Sequence, residues 1–225
     1  MLDALLLKKK IPGPDPVDPN ALFQLDMSPA AGSQVLKDLV SGVTFTRVGN
    51  PTIPDGFVDH PTYGHCYRFT GGTSFVGTGA LSAFNFNTLG YYLIEFEMIT
   101  DNTNFMCLFE TGDYPPSSKI KAGSNCSFNQ FSSTFFQYFQ VTSSGSYQRN
   151  QLSAANPLTM NKYSIKRSAS GTLMSDVTRG ISTNFANFNT GGDSYFWIGA
   201  ASDNGTPGYW FSGYLRSLKI SKVTS

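Results

Sequence analysis

Tyr91-Tyr-Leu-Ile-Glu-Phe-Glu-Met-Ile99 is the stretch that decides the fold class. In an extended chain Tyr92, Ile94, Phe96 and Met98 fall on one face and Glu95 and Glu97 on the other. That period of two marks a strand with one face buried. Asp101-Asn-Thr-Asn104 is turn chemistry, and Phe105-Met-Cys-Leu-Phe109 follows as a second strand. Working outward, the sequence offers further strands at 43–48, 66–70, 127–131, 134–141, 162–168, 172–178, 194–200 and 209–221. Gly71-Gly72, Ser143-Ser-Gly145, Gly191-Gly-Asp193 and Asp203-Asn-Gly-Thr-Pro-Gly208 separate them. Short strands with frequent turns predict an all-β, two-sheet antiparallel sandwich. About 200 residues is too long for an immunoglobulin type and suits a jelly roll better. A single helix is expected, over Ser33–Val40.

Composition narrows the function. The chain has 225 residues, 16 basic and 15 acidic, and a net charge of +1. Charged residues are 14% and aromatics also 14%, with 19 Phe and 11 Tyr. Disordered chains show the reverse balance. A nucleic-acid partner calls for a basic excess that is missing here. A membrane span needs about 20 consecutive apolar residues, far more than any run in this chain. Neither nucleic acid nor membrane is therefore expected as a partner. Cys66, Cys107 and Cys126 are too few and too scattered for a disulfide framework or a zinc site. Met1–Lys10 places its charges after its apolar residues, the reverse of a secretory signal, so synthesis in the cytoplasm without export by that route is expected.

The chain divides at residue 20. Residues 1–20 read as a docking peptide and a Pro-rich linker, and 21–225 as the sandwich. Leu2, Leu5, Leu6 and Leu7 form an apolar stretch capped by Lys8, Lys9 and Lys10, which suit a helix C-terminus. A helix of two turns needs a surface to dock on, either a partner's or that of its own sandwich. Ile11–Asn20 carries four prolines and reads as an extended spacer.

The C-terminal third carries a resemblance. Asn161-Lys-Tyr-Ser-Ile-Lys-Arg-Ser168, the turn Ala169-Ser-Gly171 and Thr172-Leu-Met-Ser-Asp-Val-Thr-Arg179 form a hairpin. Ser194-Tyr-Phe-Trp-Ile-Gly-Ala200, a loop, and Trp210-Phe-Ser-Gly-Tyr-Leu-Arg-Ser-Leu-Lys-Ile-Ser221 follow. This order resembles the end of concanavalin A-like, laminin-G-like domains. Leu22-Phe-Gln-Leu-Asp26 and Tyr67-Arg-Phe-Thr-Gly-Gly-Thr-Ser-Phe75 are similar to their opening segments. The resemblance implies two antiparallel sheets in which the first and last strands pair. In the closing strand, Gly213 is expected to permit a bend or a close approach. The low-charge, aromatic sandwich on an N-terminal arm also resembles accessory virion proteins of tailed bacteriophages. That resemblance implies a virion location, capsid or tail proteins as partners, and a homo-oligomer.

Enzymatic chemistry is poorly supported by the sequence, and no cofactor is implied. Related glucanases place three carboxylates along one strand. Glu95 and Glu97 supply two, but Ile99 stands at the third position, so they read as a solvated strand face. His60, His65 and Cys66 read as loop residues without a second ligand pair, and no catalytic metal is expected. Asp113, Asp193 and Asp203 are the nearest acids for a rim calcium, and three isolated acids make too thin a site. Binding surfaces remain. Residues 122–157 hold seven aromatics and one charge, Arg149. In Phe135-Phe-Gln-Tyr-Phe139 alternation cannot place every ring in one core, which makes Phe136 and Tyr138 candidates for glycan or protein contact. Asp203, Asn204, Tyr209 and Trp210 form the second candidate, since aromatics and carboxamides at a rim suit a sugar. The readings are a virion component without enzymatic activity, held by its arm, or a lectin module for bacterial surface glycans.

Overall fold

The computed structural model describes residues 16–50, 52, 54–77, 90–101, 106–112, 126–132, 135–141, 147–153, 159–187, 195–203 and 206–224. Two antiparallel sheets face each other, as expected for a jelly-roll sandwich. The larger runs β13 (Ile181–Phe185), β12 (Gly171–Asp176), β11 (Asn161–Ser168), β6 (Tyr92–Thr100), β17 (Ser212–Lys222), β4 (Gly64–Thr70), β3 (Gly56–His60). Its eighth strand, β1 (Ala21–Gln24), pairs with β17, so the first and last strands meet. The smaller sheet begins β10 (Tyr147–Ser153), β9 (Phe135–Val141), β8 (Cys126–Ser132), β7 (Met106–Gly112). It continues through β14 (Tyr195–Ile198) and β5 (Thr73–Gly77) to β2 (Thr46–Gly49). A short hairpin joins β15 (Ala201–Asp203) to β16 (Thr206–Gly208).

Strand β6 behaves as its alternation demands. Tyr92, Ile94, Phe96 and Met98 are buried between the sheets, while Glu95 and Glu97 lie half-exposed on the outer face. Each such aromatic contributes about 1.5–3 kcal/mol by leaving water. Across the core Phe96 meets Phe109 edge-on at 5.7 Å, and the Tyr92 and Tyr138 hydroxyls hydrogen-bond at 3.0 Å. Gly71-Gly72 is the passage from one sheet to the other: β4 belongs to the larger sheet and β5 to the smaller. Both glycines have positive φ, 78° and 133°, which other residues resist.

Gly213 is approached closely, as its place in the closing strand suggests. A Cβ there would lie 2.1 Å from the Ile99 carbonyl oxygen. Two residues on, β17 departs from strict alternation. Leu215 pairs with Met98 and Ser217 with Glu97, so Arg216 is an extra residue, a β-bulge. The bulge resets the parity, and Leu215, Leu218 and Ile220 all enter the core.

The helix expected over Ser33–Val40 is absent. Instead Lys37 bridges Thr44 and Asp38 bridges Leu25. The buried Asp38 carboxylate explains this: it accepts from the backbone N–H of Gln24, Val40 and Ser41. An aspartate that organises a turn in this way competes with the helix. At the entrance of the sandwich, the end of the Pro-rich stretch is tied down. The Gln24 side chain accepts from Asp18 N–H and donates to the Pro16 carbonyl, and Lys222 N–H donates to the Asn20 carbonyl. Residues 1–15, with Leu2, Leu5, Leu6, Leu7, Lys8, Lys9 and Lys10, lie outside the described residues.

Candidate functional site

The β3–β4 hairpin builds an aromatic cluster on the outer face of the larger sheet. Its turn, Pro61-Thr62-Tyr63, is fixed by His60, whose Nδ1 accepts from the N–H groups of Thr62 and Tyr63 at 3.1 and 3.2 Å. This local bond is one reason His60 and His65 sit in paired strands and not in the loop that the sequence suggested. The His60 and Tyr63 rings stack at 4.3 Å, with 14° between their planes. Tyr214 from β17 meets His60 edge-on at 4.9 Å and Tyr63 at 5.9 Å. The Arg68 guanidinium lies over the Tyr214 ring, 4.6 Å from its centre. A cation in this position is attracted by the ring quadrupole. His60, Tyr63, Arg68 and Tyr214 are all half-buried, so part of each remains available to a ligand.

Ion pairs run from the cluster along the same sheet face. Arg68 pairs with Asp101, whose carboxylate also accepts from the Ser212 hydroxyl at 2.9 Å. The bulge residue Arg216 pairs with Glu97 at 2.5 Å. Glu95 lies between Lys162 at 3.3 Å and Lys219 at 3.1 Å, and Lys219 reaches on to Asp18 at 2.8 Å. Burial raises the Glu95 pKa, but the two ammonium groups outweigh it and hold the carboxyl below its ordinary range. Such a carboxyl is a poor general acid at neutral pH, which needs a raised value. On the same face of β4 as Arg68, burial pushes the Cys66 thiol up to about 11 despite the nearby arginines, so it is no nucleophile at neutral pH.

The other side of β3 forms a groove of about 430 Å³ against the chain at 31–34, bounded by Gln34, Asp55, Phe57 and Asp59. His65 lies with Nδ1 2.8 Å from Asp59 and Nε2 2.9 Å from the Pro29 carbonyl, its ring stacked on Phe57. Asp55 is 2% exposed and accepts through Oδ1 from the Thr70 N–H and hydroxyl. That carboxylate fastens the segment before β3 to the end of β4.

The residues singled out from sequence do not converge. Phe136 and Tyr138 are buried, 1% and 0% exposed, so they are core residues and not contact residues. Phe136 packs on Tyr163 at 5.0 Å, and Tyr138 lies 6.2 Å from Phe185. Inward alternation in β9 takes both rings across to the larger sheet. Asp203 ends β15, Asn204 lies outside the described residues, and so do Asp113 and Asp193. Tyr209 is exposed and Trp210 half-buried; they line up beside the start of β7, where Cys107 N–H donates to the Tyr209 carbonyl. Among the described residues no group of three metal-ligating side chains occurs. The sequence reading missed Tyr63, Arg68, Tyr214 and Arg216. Tyr214 and Arg68 stand opposite each other only through the β17–β4 register, which no local pattern encodes.

No family model matches the chain, and no curated protein matches it in sequence. Solved structures do. The CBM40 of Ruminococcus gnavus IT-sialidase, bound to α2,3-sialyllactose, is 13% identical with a TM-score of 0.55, over 71% of this chain and 91% of that one. The binding domain of botulinum neurotoxin DC, in complex with SialylT, is 12% identical with a TM-score of 0.58, over 92% of this chain and 49% of the other. The same toxin domain with rat synaptotagmin II gives a TM-score of 0.60 at 12% identity, again over 92% and 49%. The likeness shows the fold. It is a β-sandwich shared with carbohydrate-binding modules, and the chain spans about half the length of the toxin domain that it matches.

Proposed function

We propose that this sandwich is a non-enzymatic carbohydrate-binding module and that the His60–Tyr63–Tyr214 cluster with Arg68 is its sugar platform. The observation that carries the reading is the half-exposed three-ring cluster, with the Arg68–Asp101 and Arg216–Glu97 pairs beside it. A pyranose offers an apolar C–H face to such rings and hydroxyls to the carboxylates and guanidinium groups around them. Fold neighbours crystallised with sialylated ligands add a prior, since the same sandwich presents sugars elsewhere. The ligand class is a bacterial surface glycan. Glycan-array binding of the intact chain tests it. Specific signals that vanish in a Tyr63→Ala/Tyr214→Ala double variant, with the fold retained by circular dichroism, are expected; unchanged signals in the variant would remove the site.

Residues 1–15 serve a second role in this reading, as an arm that attaches the module to capsid or tail proteins of a virion. The supporting observation is the way the chain enters the sandwich. Asp18 pairs with Lys219 and Gln24 binds Pro16, so whatever precedes Pro16 departs from a fixed point. Co-sedimentation of the full chain with purified particles, compared with a chain that starts at Pro16, tests the arm. Equal sedimentation of both chains would discard it.

A further inference from the structure

We propose that the glycan held by the outer face of the larger sheet is neutral, not acidic. The inference rests on the carbohydrate reading and narrows it to a ligand class. Beside the rings lie two cations, Arg68 and Arg216, and two carboxylates, Asp101 and Glu97; Lys162, Lys219, Glu95 and Asp18 form a second network further along the same face. Arg68 is paired with Asp101 and Arg216 with Glu97, so the charges beside the rings balance. An anionic sugar would bring its charge to arginines that are already compensated, beside the Asp101 and Glu97 carboxylates, or displace one of those acids and leave it uncompensated.

The geometry of Arg68 sharpens the point. Its guanidinium carbon lies over the Tyr214 ring, Nη1 donates to the Phe69 carbonyl at 2.8 Å, and the same Nη1 pairs with Asp101. A guanidinium recognises a carboxylate through two parallel donors on one free edge. Both contacts of Arg68 fall on Nη1, and the Asp101 carboxylate already compensates its charge. Arg216 is the more exposed arginine, with 47% of its side chain accessible, and it is held against Glu97. What the face offers instead is alternating donors and acceptors beside aromatic rings. Sugar hydroxyls, which donate and accept at once, fit that pattern without breaking a pair.

The test compares matched oligosaccharides that differ in one carboxylated residue, lactose beside α2,3-sialyllactose and hexose beside hexuronate forms of bacterial repeat units, on an array with the intact chain. The neutral member of each bound pair is expected to give about tenfold tighter binding. That binding should change little between about 0.05 and 0.5 M salt, because no net charge is being neutralised. Asp101→Asn and Glu97→Gln release Arg68 and Arg216 and should shift the preference toward the carboxylated member. Equal or tighter binding of carboxylated members by the unaltered chain would overturn the inference and leave the carbohydrate reading standing. Silence on every glycan, neutral or acidic, would overturn the carbohydrate reading and this inference with it.

Discussion

Two aromatic clusters of similar chemistry have opposite fates in this molecule. Phe136 and Tyr138 from the smaller sheet meet Tyr163 and Tyr92 from the larger one inside the sandwich, with solvent excluded. His60, Tyr63 and Tyr214 meet on the outside of the larger sheet and stay half-exposed. The inner rings gain from leaving water; the Tyr92 and Tyr138 hydroxyls bond to each other, and the Tyr163 hydroxyl accepts from the Asn161 side-chain amide. The outer rings are supported by a cation and by paired charges, a frame that keeps them ordered while leaving surface for a ligand. The difference teaches that aromatic density does not mark a binding surface. The proposed platform differs in that its rings, besides packing on one another, sit among charges.

The largest expected effect lies inside. Phe136→Ala should cost about 3–5 kcal/mol, read as a lower urea midpoint. Tyr63→Ala on the outer face should cost less than about 1 kcal/mol in the same assay. Comparable losses at the two positions would erase the distinction between the clusters. Gly213→Ala links the two regions, because the new Cβ would collide with the Ile99 carbonyl just where β17 delivers Tyr214. A loss of about 1–3 kcal/mol is expected, together with weaker glycan binding. Tyr92→Phe removes one hydroxyl of the inner pair and should cost about 1 kcal/mol by chemical denaturation, with binding untouched.

The smallest effect concerns the second charge network, further along the outer face of the larger sheet. Hydrogen bonds with Lys219 and Asn20 hold the Asp18 carboxyl below its ordinary value, and the two lysines do the same for Glu95. A carboxyl whose folded pKa is depressed contributes stability above its unfolded value, and loses it as pH falls through the folded one. The Asp18 bond raises Lys219, whose contribution is present below its ordinary value of 10.5 and fades as pH rises through the folded value. Lys219→Met should therefore flatten the decline of stability below about pH 4.5, near the unfolded carboxyl range, and at the alkaline end. Denaturation midpoints across pH provide the check, and an unaltered acid slope would show that the network contributes nothing.

Much of the architecture was legible in local pattern. The alternation of residues 92–98 fixed the face of β6, and the Gly71-Gly72 pair marked the place where the chain changes sheets. Gly213 was identifiable as a close approach. The misses share one cause, that they depend on partners distant in sequence. Asp38 turned a helical spacing into a turn by binding the backbone of Gln24. The bulge at Arg216 merged two apparent parities of β17 into one buried face. Phe136 and Tyr138 seemed surplus to one core because the opposing sheet that covers them is not visible in a strand of seven residues. The outer platform escaped for the same reason. Its rings come from β3, the turn after it and β17, and only strand pairing brings Tyr214 beside Arg68. Fold class follows from periodicity, which is local; a site assembled across three strands does not.

The most direct test of the central claim is a titration of the ¹⁵N-labelled chain with the oligosaccharide that gives the strongest array signal, followed by NMR. The account predicts that the amide shifts which move are those of His60, Tyr63, Gly64, Arg68 and Tyr214, with Arg216 and Asp101 at the margin. Saturable shifts confined to the β15–β16 hairpin and Tyr209, with the β3–β4 hairpin unmoved, would contradict it.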